Sequence, residues 1–502
     1  MPPLDHRTAV AVIDVGSNSG RVVVYTRDAA GQLRLLAGAR AALRLVREVD
    51  DSRLLGPEAS ERLMEALRDF RAIARGAGAR RIAAVATAAM RDAADGPALL
   101  RRVRRELGFD LQVIDGRSEA WYGVVGALHG LPLRDGLLFD LGGGSLQLTR
   151  FRARRPGRAV SLPLGALRLS QAFLHRDPPT PAEVRRLRRH VRRLLGESGL
   201  EPLGAGQALV GTGGTIRNLA KIDRWAHAYP ITRVHGYELG RRRLSDIVDD
   251  LAHRRQRTRD RVPGLSDERA DSIVGGALVI ETLAEACAAT GVHVSGQGVR
   301  EGLAHTLLGE PLPSVEAVRA ASVASLGARF DAWDAARAEQ RAALATRLWA
   351  ALPVPGGAEQ REALRLAALL LDTGASVDFF ERHEHAADIA LATDLNGFSQ
   401  REIALVAAVL RKAGDGSHDI AALRPLLHEE DRAGVERAAV LLVLADDIQE
   451  RCPPTARVRL HCRLARRSFT VSAPALLSWR PRSLGRRFER AFGRRLVVQH
   501  GA

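Results

Sequence analysis

Two glycine-rich turns, each following an apolar β-like run, most constrain what this chain can fold into. The first lies in LLFDLGGGSLQLTRF (residues 137–151) and the second in ALVGTGGTIRNLAKI (residues 208–222). Successive glycines let several backbone N–H groups point at one spot, and such a nest binds phosphate oxygens without any side chain. Asp140 in the first turn adds a carboxylate that suits a magnesium ion or its water shell. Two such turns predict a ligand with several phosphates, or one phosphate held from two sides.

A third turn near the N-terminus strengthens this prediction. In TAVAVIDVGSNSGRVVVY (residues 8–25), two valine-rich runs are typical of a strand pair, and Asp14, Ser17, Asn18 and Ser19 lie between them. Asp, Gly, Ser and Asn are also common residues of an ordinary hairpin loop. The parallel with DLGGGS, which also places Asp and Gly after an apolar strand, favours the functional interpretation.

The chain is long, strongly basic and poor in cysteine. At 502 residues it is expected to hold two to four domains. The formal charge of +17 favours a polyanionic partner. Because lysine occurs only at positions 221 and 412, an arginine bias from genome composition explains the charge equally well.

Cysteine usage and hydropathy indicate the compartment. The three cysteines form no closely spaced pair, which favours a reducing environment. The N-terminal apolar stretch is interrupted at Asp14, so no signal peptide is predicted, and no run is long enough to span a bilayer. We therefore expect a cytoplasmic protein with no membrane partner.

The periodicity divides the chain into an α/β part and a helical part. Residues 1 to about 305 alternate strand-like and helix-like segments, and GEPLP (residues 309–313) marks a boundary. Alanine- and leucine-rich segments follow it, and a short hairpin and a last helix end the chain. The predicted helices of the second part cover residues 315–352, 359–371, 385–393, 399–413, 432–450 and 482–492.

Several blocks in this order resemble the exopolyphosphatase/guanosine pentaphosphate phosphatase (Ppx/GppA) family. The resemblance runs through most of residues 10–305. It is carried by IDVGSNS (13–19), ATAAMRDA (86–93), IDGRSEA (114–120), DLGGGS (140–145), LPLGALRL (162–169), GTGGTIRNLA (211–220), HGYEL (235–239), PGLSDERAD (263–271) and GVREGL (298–303).

The resemblance implies an α/β fold with two duplicated ribonuclease-H-like lobes, of the type seen in actin, hexokinase and acetate kinase, followed by a mostly helical HD-like domain. The expected boundaries are residues 1–125, 126–308 and 314–502. The resemblance further implies magnesium-dependent hydrolysis of terminal phosphoanhydrides, with inorganic polyphosphate or guanosine pentaphosphate as substrate. We expect a homodimer and no specific nucleic-acid partner.

The resemblance assigns roles to particular residues. Glu119 matches the general base that readies water, although a glutamate in the first turn of a helix is also favourable there. Arg91 is expected to bind the terminal phosphate, the alternative being an ion pair with Asp92. Magnesium would be held by Asp14 and Asp140. Phosphate would be bound by Ser17, Asn18, Ser19, Gly143, Gly144, Ser145, Gly213, Gly214 and Thr215.

Two departures from the family pattern affect these expectations. The family usually reads GGGSTE, whereas this chain reads GGGSLQ, so neutral Gln147 replaces a glutamate that helps to anchor the metal. In LLLDTG (residues 369–374), Leu371 stands where an HD domain has a metal-binding histidine. We therefore expect this domain to be structural or to extend the binding surface.

The charge favours polyphosphate hydrolysis, and three alternatives stay open. These are hydrolysis of guanosine pentaphosphate, a sensor that binds polyphosphate or a nucleotide without cleaving it, and a polyphosphate:ADP phosphotransferase, because one fold hosts many functions.

Overall fold

The computed structural model describes most of the chain, in two compact units. The described residues are 9–45, 48–49, 53–309, 311–353, 357–414, 419–453, 458–473, 476, 479 and 481–500. Within them, one unit comprises residues 9–228 and 233–318, and the other comprises residues 229–232 and 319–500.

A five-stranded mixed sheet opens the first unit. Strands β1 and β2 form an antiparallel hairpin, β3 extends it, and β4 and β5 run parallel to β1, giving the order β3-β2-β1-β4-β5. The buried side chains of β1 and β2 are mainly valine and alanine, which suit a strand covered on both faces. The strands are β1 (Val10–Val15), β2 (Ser19–Arg27), β3 (Leu33–Ala42), β4 (Arg81–Ala86) and β5 (Leu111–Val113).

A second, six-stranded sheet repeats this topology. Strands β6, β7 and β8 form an antiparallel meander, and β9 and β11 run parallel to β6, giving the order β10-β11-β9-β6-β7-β8. The repeated arrangement agrees with a duplicated α/β lobe. The strands are β6 (Gly136–Leu141), β7 (Leu146–Arg152), β8 (Arg155–Leu162), β9 (Ala208–Thr212), β10 (Tyr237–Gly240) and β11 (Gly291–Val294).

Amphipathic helices cover the two sheets. In the first helix, Leu63, Leu67 and Phe70 recur at helical spacing and are buried. The helices are α1 (Gly56–Gly76), α2 (Ala88–Asp92), α3 (Gly96–Leu107), α4 (Gly116–Gly130), α5 (Ala166–Phe173), α6 (Pro181–Glu197), α7 (Gly214–Ala226), α8 (Arg241–His253), α9 (Gln256–Arg259), α10 (Ile273–Ala286) and α11 (Val299–Leu307).

The second unit is mostly helical and ends in a small sheet. Its strands have the order β12-β13-β14, with β13 antiparallel to β12 and parallel to β14. The elements are α12 (Val315–Gly327), which begins in the first unit, α13 (Ala335–Ala350), α14 (Ala358–Leu370), α15 (Arg382–Ala392), α16 (Gln400–Ala413), α17 (Asp431–Gln449), β12 (His461–Leu464), β13 (Ser468–Ala473), α18 (Arg482–Phe492) and β14 (Arg495–His500).

The sequence-predicted helix over residues 315–352 is wrong in one respect, because the structure breaks it into α12 and α13. Trp333 packs against the end of α12: a Cβ added to Gly327 would lie 2.3 Å from the indole. Asp334 then caps α13 by accepting a hydrogen bond from Arg337 N at 2.8 Å. The apolar periodicity continues across the break and does not reveal it.

A buried ion-pair network holds the segment LLLDTG in place. Fully buried Arg341 pairs with Asp372 of that segment, and its Nε lies 2.8 Å from Asp446 Oδ1. Arg382 joins the same two carboxylates, at 3.5 Å from Asp372 Oδ1 and 2.6 Å from Asp446 Oδ2. Two guanidinium groups therefore neutralise two aspartates inside this unit.

Removing one member of this network leaves buried charge uncompensated. We expect Arg341→Met to lower the free energy of unfolding by about 3–5 kcal/mol, measured by chemical denaturation of the full chain. As a control, Arg365→Met removes a partly exposed pair with Glu362 and is expected to change it by less than about 1 kcal/mol. Equal effects of the two substitutions would contradict the buried network.

Candidate active site

Three carboxylates from three different elements line one cleft of the first unit. Asp14 lies near the end of β1 and Asp140 near the end of β6, at the equivalent position of each sheet. Glu119 lies in the first turn of α4, whose N-terminus is capped by Asp115 through a 2.7 Å hydrogen bond from Ser118 N. The cleft therefore concentrates negative charge where both sheets end.

Burial makes this charge unfavourable. It raises the pKa values of Asp14 and Asp140 above their ordinary range. Burial, followed by the charges of Asp140 and Asp14, raises the pKa of Glu119 to about 8. The Oε2 atom of Glu119 is buried and has no hydrogen-bond partner within the described part of the chain. A cation or a water molecule would satisfy this group.

The glycine turns of the two lobes face each other across the cleft. A Cβ added to Gly143 would lie 3.3 Å from the Cβ of Asn18, so the β6–β7 turn directly meets the β1–β2 turn. The carbonyl oxygens of Gly142 and Gly143 accept hydrogen bonds from backbone N–H groups at the start of α5, at 2.9–3.1 Å. These carbonyl oxygens are therefore engaged by the helix and would not repel an anion in the cleft.

Gly213 holds the second glycine turn at the start of α7. Its φ of 98° is strained for any residue with a side chain, and a Cβ there would lie 2.6 Å from Leu141 O and 3.0 Å from Asp140 Oδ1. Helix α7 begins at Gly214, which lines the cleft, and no side chain caps its first turn. The N–H groups at this helix end are therefore available to a ligand. This end of the cleft is suited to an anion.

Four arginines complete the cleft, at positions 21, 217, 269 and 300. Burial, and then mutual repulsion, lowers the pKa values of Arg21, Arg217 and Arg269 to about 10. Burial opposes the charge of Arg300 as well, but the carboxylates of Glu301 and Asp14 outweigh it and raise that pKa. Three crowded guanidinium groups with lowered pKa values indicate positive charge that an anionic ligand would balance.

Specific contacts hold these arginines in place. Arg300 Nη1 lies 3.3 Å from Asp14 Oδ2. Arg217 donates hydrogen bonds to Gly213 O at 2.9 Å and to Gly296 O at 3.2 Å. Arg269 lies against the second glycine turn, since a Cβ added to Gly214 would lie 2.4 Å from its Nη2. The cleft is therefore pre-organised for phosphate.

Helices α4 and α11, which carry Glu119 and Arg300, cross at backbone contact. A Cβ added to Gly126 would lie 2.0 Å from Gly298 O, and one added to Gly302 would lie 1.9 Å from Tyr122 O. Glu301, beside Arg300, accepts a hydrogen bond from Tyr25 of β2 at 2.5 Å and caps α11 through Gly298 N at 2.7 Å. This crossing determines where the base candidate lies relative to the arginine.

Most of the sequence-predicted site residues line the cleft together. They are Asp14, Ser17, Asn18, Ser19, Glu119, Asp140, Gly143, Ser145, Gly213 and Gly214. Gly144 and Thr215 are buried beside it and do not line it.

Arg91 also lies outside the cleft lining. Its Nη1 donates to Ile114 O at 3.0 Å, and its charge acts to lower the pKa of Glu119. Asp92, its alternative partner, lies 3.7 Å from Arg168. Arg91 is exposed and lies outside the cleft lining, although its charge still reaches Glu119.

Sequence reasoning assigned no role to the four cleft arginines. Arg217, Arg269 and Arg300 lie in blocks that carry the family resemblance, so the blocks themselves were the available signal. Arg21 lies two residues after the β1–β2 turn and is the register partner of Asp14 in that hairpin. Among so many arginines, only the fold distinguishes these four.

The carboxylates fit a magnesium ion that is shared with a substrate. Magnesium prefers carboxylate oxygens and is usually held by one or two of them together with substrate phosphates. Asp14 and Asp140 meet this requirement, and the orphaned oxygen of Glu119 lies in the same cleft. Among the described residues, no three Asp, Glu, His or Cys side chains form a metal site by themselves.

Within the described ranges, no helix combines the length and apolarity needed to cross a bilayer.

Family models match both units. Residues 23–310 match the Ppx/GppA phosphatase family, and residues 318–464 match domain III of Ppx/GppA phosphatase. Exopolyphosphatase 1 of Mycobacterium tuberculosis is 32% identical over 298 residues, which cover 59% of this chain and 86% of that protein. Exopolyphosphatase 2 of the same organism is 32% identical over 321 residues, which cover 60% of this chain and 99% of that protein.

Solved structures agree with these matches. A Ppx/GppA family member from Aquifex aeolicus superposes with a TM-score of 0.54 at 28% identity, covering 60% of this chain and 98% of its own. An exopolyphosphatase from Cytophaga hutchinsonii shares the fold, with a TM-score of 0.56 at 24% identity over 61% of this chain and all of its own. Because one family model alone spans more than half of its residues, this chain belongs to the Ppx/GppA phosphatase family.

Proposed function

We propose that the chain is an exopolyphosphatase that hydrolyses the terminal phosphate of inorganic polyphosphate with magnesium. One observation carries the proposal: a partly unsatisfied carboxylate, two further carboxylates and four arginines converge on one cleft between glycine turns. The similarity to proteins named exopolyphosphatase supports this substrate class.

Hydrolysis of a phosphoanhydride needs positioning and charge neutralisation more than covalent catalysis. We assign Glu119 as the general base that orients a water molecule and accepts its proton, because its raised pKa matches a base that works near neutral pH. Arg91 supports Glu119 electrostatically from outside the cleft lining. This role is a modification of the direct phosphate contact expected from the sequence.

The other cleft groups bind the end of the polymer. Asp14 and Asp140 would hold magnesium, which supplies positive charge to the oxygens of the anhydride. Phosphate oxygens are bound by the four arginines and by the N–H groups of Gly143, Gly213 and Gly214. Polar side-chain contacts are added by Ser17, Asn18, Ser19 and Ser145. Gly144 and Thr215 support these turns from the buried side.

Several broader features belong to the same proposal. The lobes divide near residue 125. The domain of residues 314–502 is HD-like, and the ion-pair network of Arg341, Asp372, Asp446 and Arg382 takes the place of a metal site in it. The protein acts in the cytoplasm as a homodimer. Guanosine pentaphosphate is the second candidate substrate of the family.

The C-terminal sheet supports a polymeric substrate. Residues 457–502 contain twelve arginines and one carboxylate residue, Glu489. Seven of these arginines are exposed and make no side-chain hydrogen bond or ion pair within the described residues: Arg459, Arg463, Arg466, Arg467, Arg486, Arg490 and Arg495. Such a surface would bind several phosphates of one polymer at once, and these weak contacts would reinforce one another.

Loss of the base should separate binding from turnover. We expect Glu119→Gln to reduce the rate of phosphate release by about 10²–10⁴-fold, with little change in polyphosphate binding measured by calorimetry. Near-normal turnover in this variant would contradict the assignment of Glu119.

The raised pKa of Glu119 predicts a stability effect with a definite sign. The native state holds this proton up to pH about 8, whereas the unfolded state loses it near 4.5, so ionisation lowers stability as pH rises between these values. We therefore expect Glu119→Gln, without magnesium, to have a higher Tm than the parent at pH 8–9. The difference should vanish below pH 4.5, and a pH-independent difference would argue against a buried carboxylate.

The unpaired arginines predict dependence on polymer length. We expect Arg466→Glu with Arg467→Glu to raise the KM for long-chain polyphosphate by about tenfold or more. The substitutions should also make this KM less dependent on salt concentration, because cationic contacts are lost. The KM for tripolyphosphate should hardly change. The matched control is Arg192→Glu with Arg193→Glu on α6, where the parent arginines pair with Glu285 and Glu197; equal effects of both pairs would reject the surface.

A substrate comparison tests the proposal as a whole. Phosphate release is measured with long-chain polyphosphate or guanosine pentaphosphate, with and without magnesium and ADP. Magnesium-dependent release from polyphosphate alone is expected. Faster release from guanosine pentaphosphate, binding without release, or release only with ADP would instead indicate the nucleotide phosphatase, the sensor or the phosphotransferase.

A further inference from the structure

We propose that Gln147 is a positioning residue that makes the Ser145 hydroxyl a hydrogen-bond donor to the bound phosphate. The inference rests on the proposed function, because it concerns how the same cleft holds a phosphate chain. Gln147 is also the residue that replaces the glutamate usual in the family.

Gln147 lies beneath the cleft, next to Asp140. The two residues are direct partners in the antiparallel β6–β7 register, so their side chains lie on the same face of the sheet. Gln147 is only 2% exposed, and its Nε2 donates a hydrogen bond to Ser145 Oγ at 2.8 Å. Ser145 lines the cleft, whereas Gln147 does not.

This hydrogen bond sets the polarity of Ser145. A serine hydroxyl has one proton to donate and two lone pairs with which to accept. The amide N–H of Gln147 occupies a lone pair, so the hydroxyl proton stays free to point into the cleft. A phosphate oxygen accepts such a proton, and the bond is strengthened by the ligand's charge.

A glutamate at position 147 would reverse this arrangement. An ionised carboxylate can only accept, so it would take the Ser145 proton and leave oxygen lone pairs facing the cleft. Those lone pairs suit a cation and repel a phosphate oxygen. The carboxylate would also add a fourth negative charge beside Asp14, Glu119 and Asp140, whose burial already disfavours ionisation.

A double-mutant cycle tests whether Gln147 acts through Ser145. Tripolyphosphate binding to the full chain is measured by calorimetry in EDTA, so that no metal contributes and no turnover occurs. The variants are Gln147→Glu, Ser145→Ala and the two combined. We expect Gln147→Glu to weaken binding by about tenfold or more, and to have a smaller effect in the Ser145→Ala background, where only the added charge still acts.

A neutral variant separates hydrogen bonding from charge. Gln147→Leu removes the donor without adding a carboxylate, and we expect it to weaken binding only when Ser145 is present. It also serves if Gln147→Glu does not fold, which thermal unfolding reveals. If Gln147→Leu leaves binding unchanged, or if its effect is the same with alanine at position 145, the proposal is overturned.

The outcome is independent of the activity assay. If the parent chain binds tripolyphosphate and the cycle is non-additive, the inference stands even if polyphosphate is never cleaved. If polyphosphate is cleaved normally but the two substitutions act additively, the proposed function stands and the role of Gln147 is rejected.

Discussion

The burial of three carboxylates in one cleft is the constraint on which the rest of the site depends. Asp14, Glu119 and Asp140 repel one another, and burial deprives each of water. Such an arrangement persists only if the surrounding backbone is rigid. The crossing of α4 and α11 through Gly126 and Gly302 provides that rigidity, because the helices meet at backbone contact and no side chain separates them.

The two units treat buried charge in opposite ways. In the helical unit, Arg341 and Arg382 lie within ion-pair distance of Asp372 and Asp446, so these charges compensate one another within the chain. In the cleft, Arg300 reaches Asp14, but the other arginines crowd one another. The cleft therefore presents excess carboxylate and excess guanidinium side by side. A magnesium ion and a phosphate chain would balance both.

Local patterns revealed the elements and much of the site. The β1–β2 hairpin, the strands before the glycine turns and most helices of the second unit follow from apolar periodicity and turn residues. The break between α12 and α13 does not, because it depends on Trp333 packing against Gly327. Two strands, β3 and β8, were not predicted for a related reason: neither contains a fully buried residue, so neither shows a continuous apolar run.

By itself, the sequence determined the turn chemistry and the resemblance to the family, because both depend on residue types at short, ordered spacings. The base candidate, Glu119, was implied by that resemblance. Only the tertiary structure decided which four of the many arginines face the cleft, since residues 21, 217, 269 and 300 are brought together by sheet register and helix crossing. It also placed Arg91 outside the cleft lining and joined Gln147 to Ser145. Contacts between residues far apart in the chain depend on packing, which no local spacing encodes.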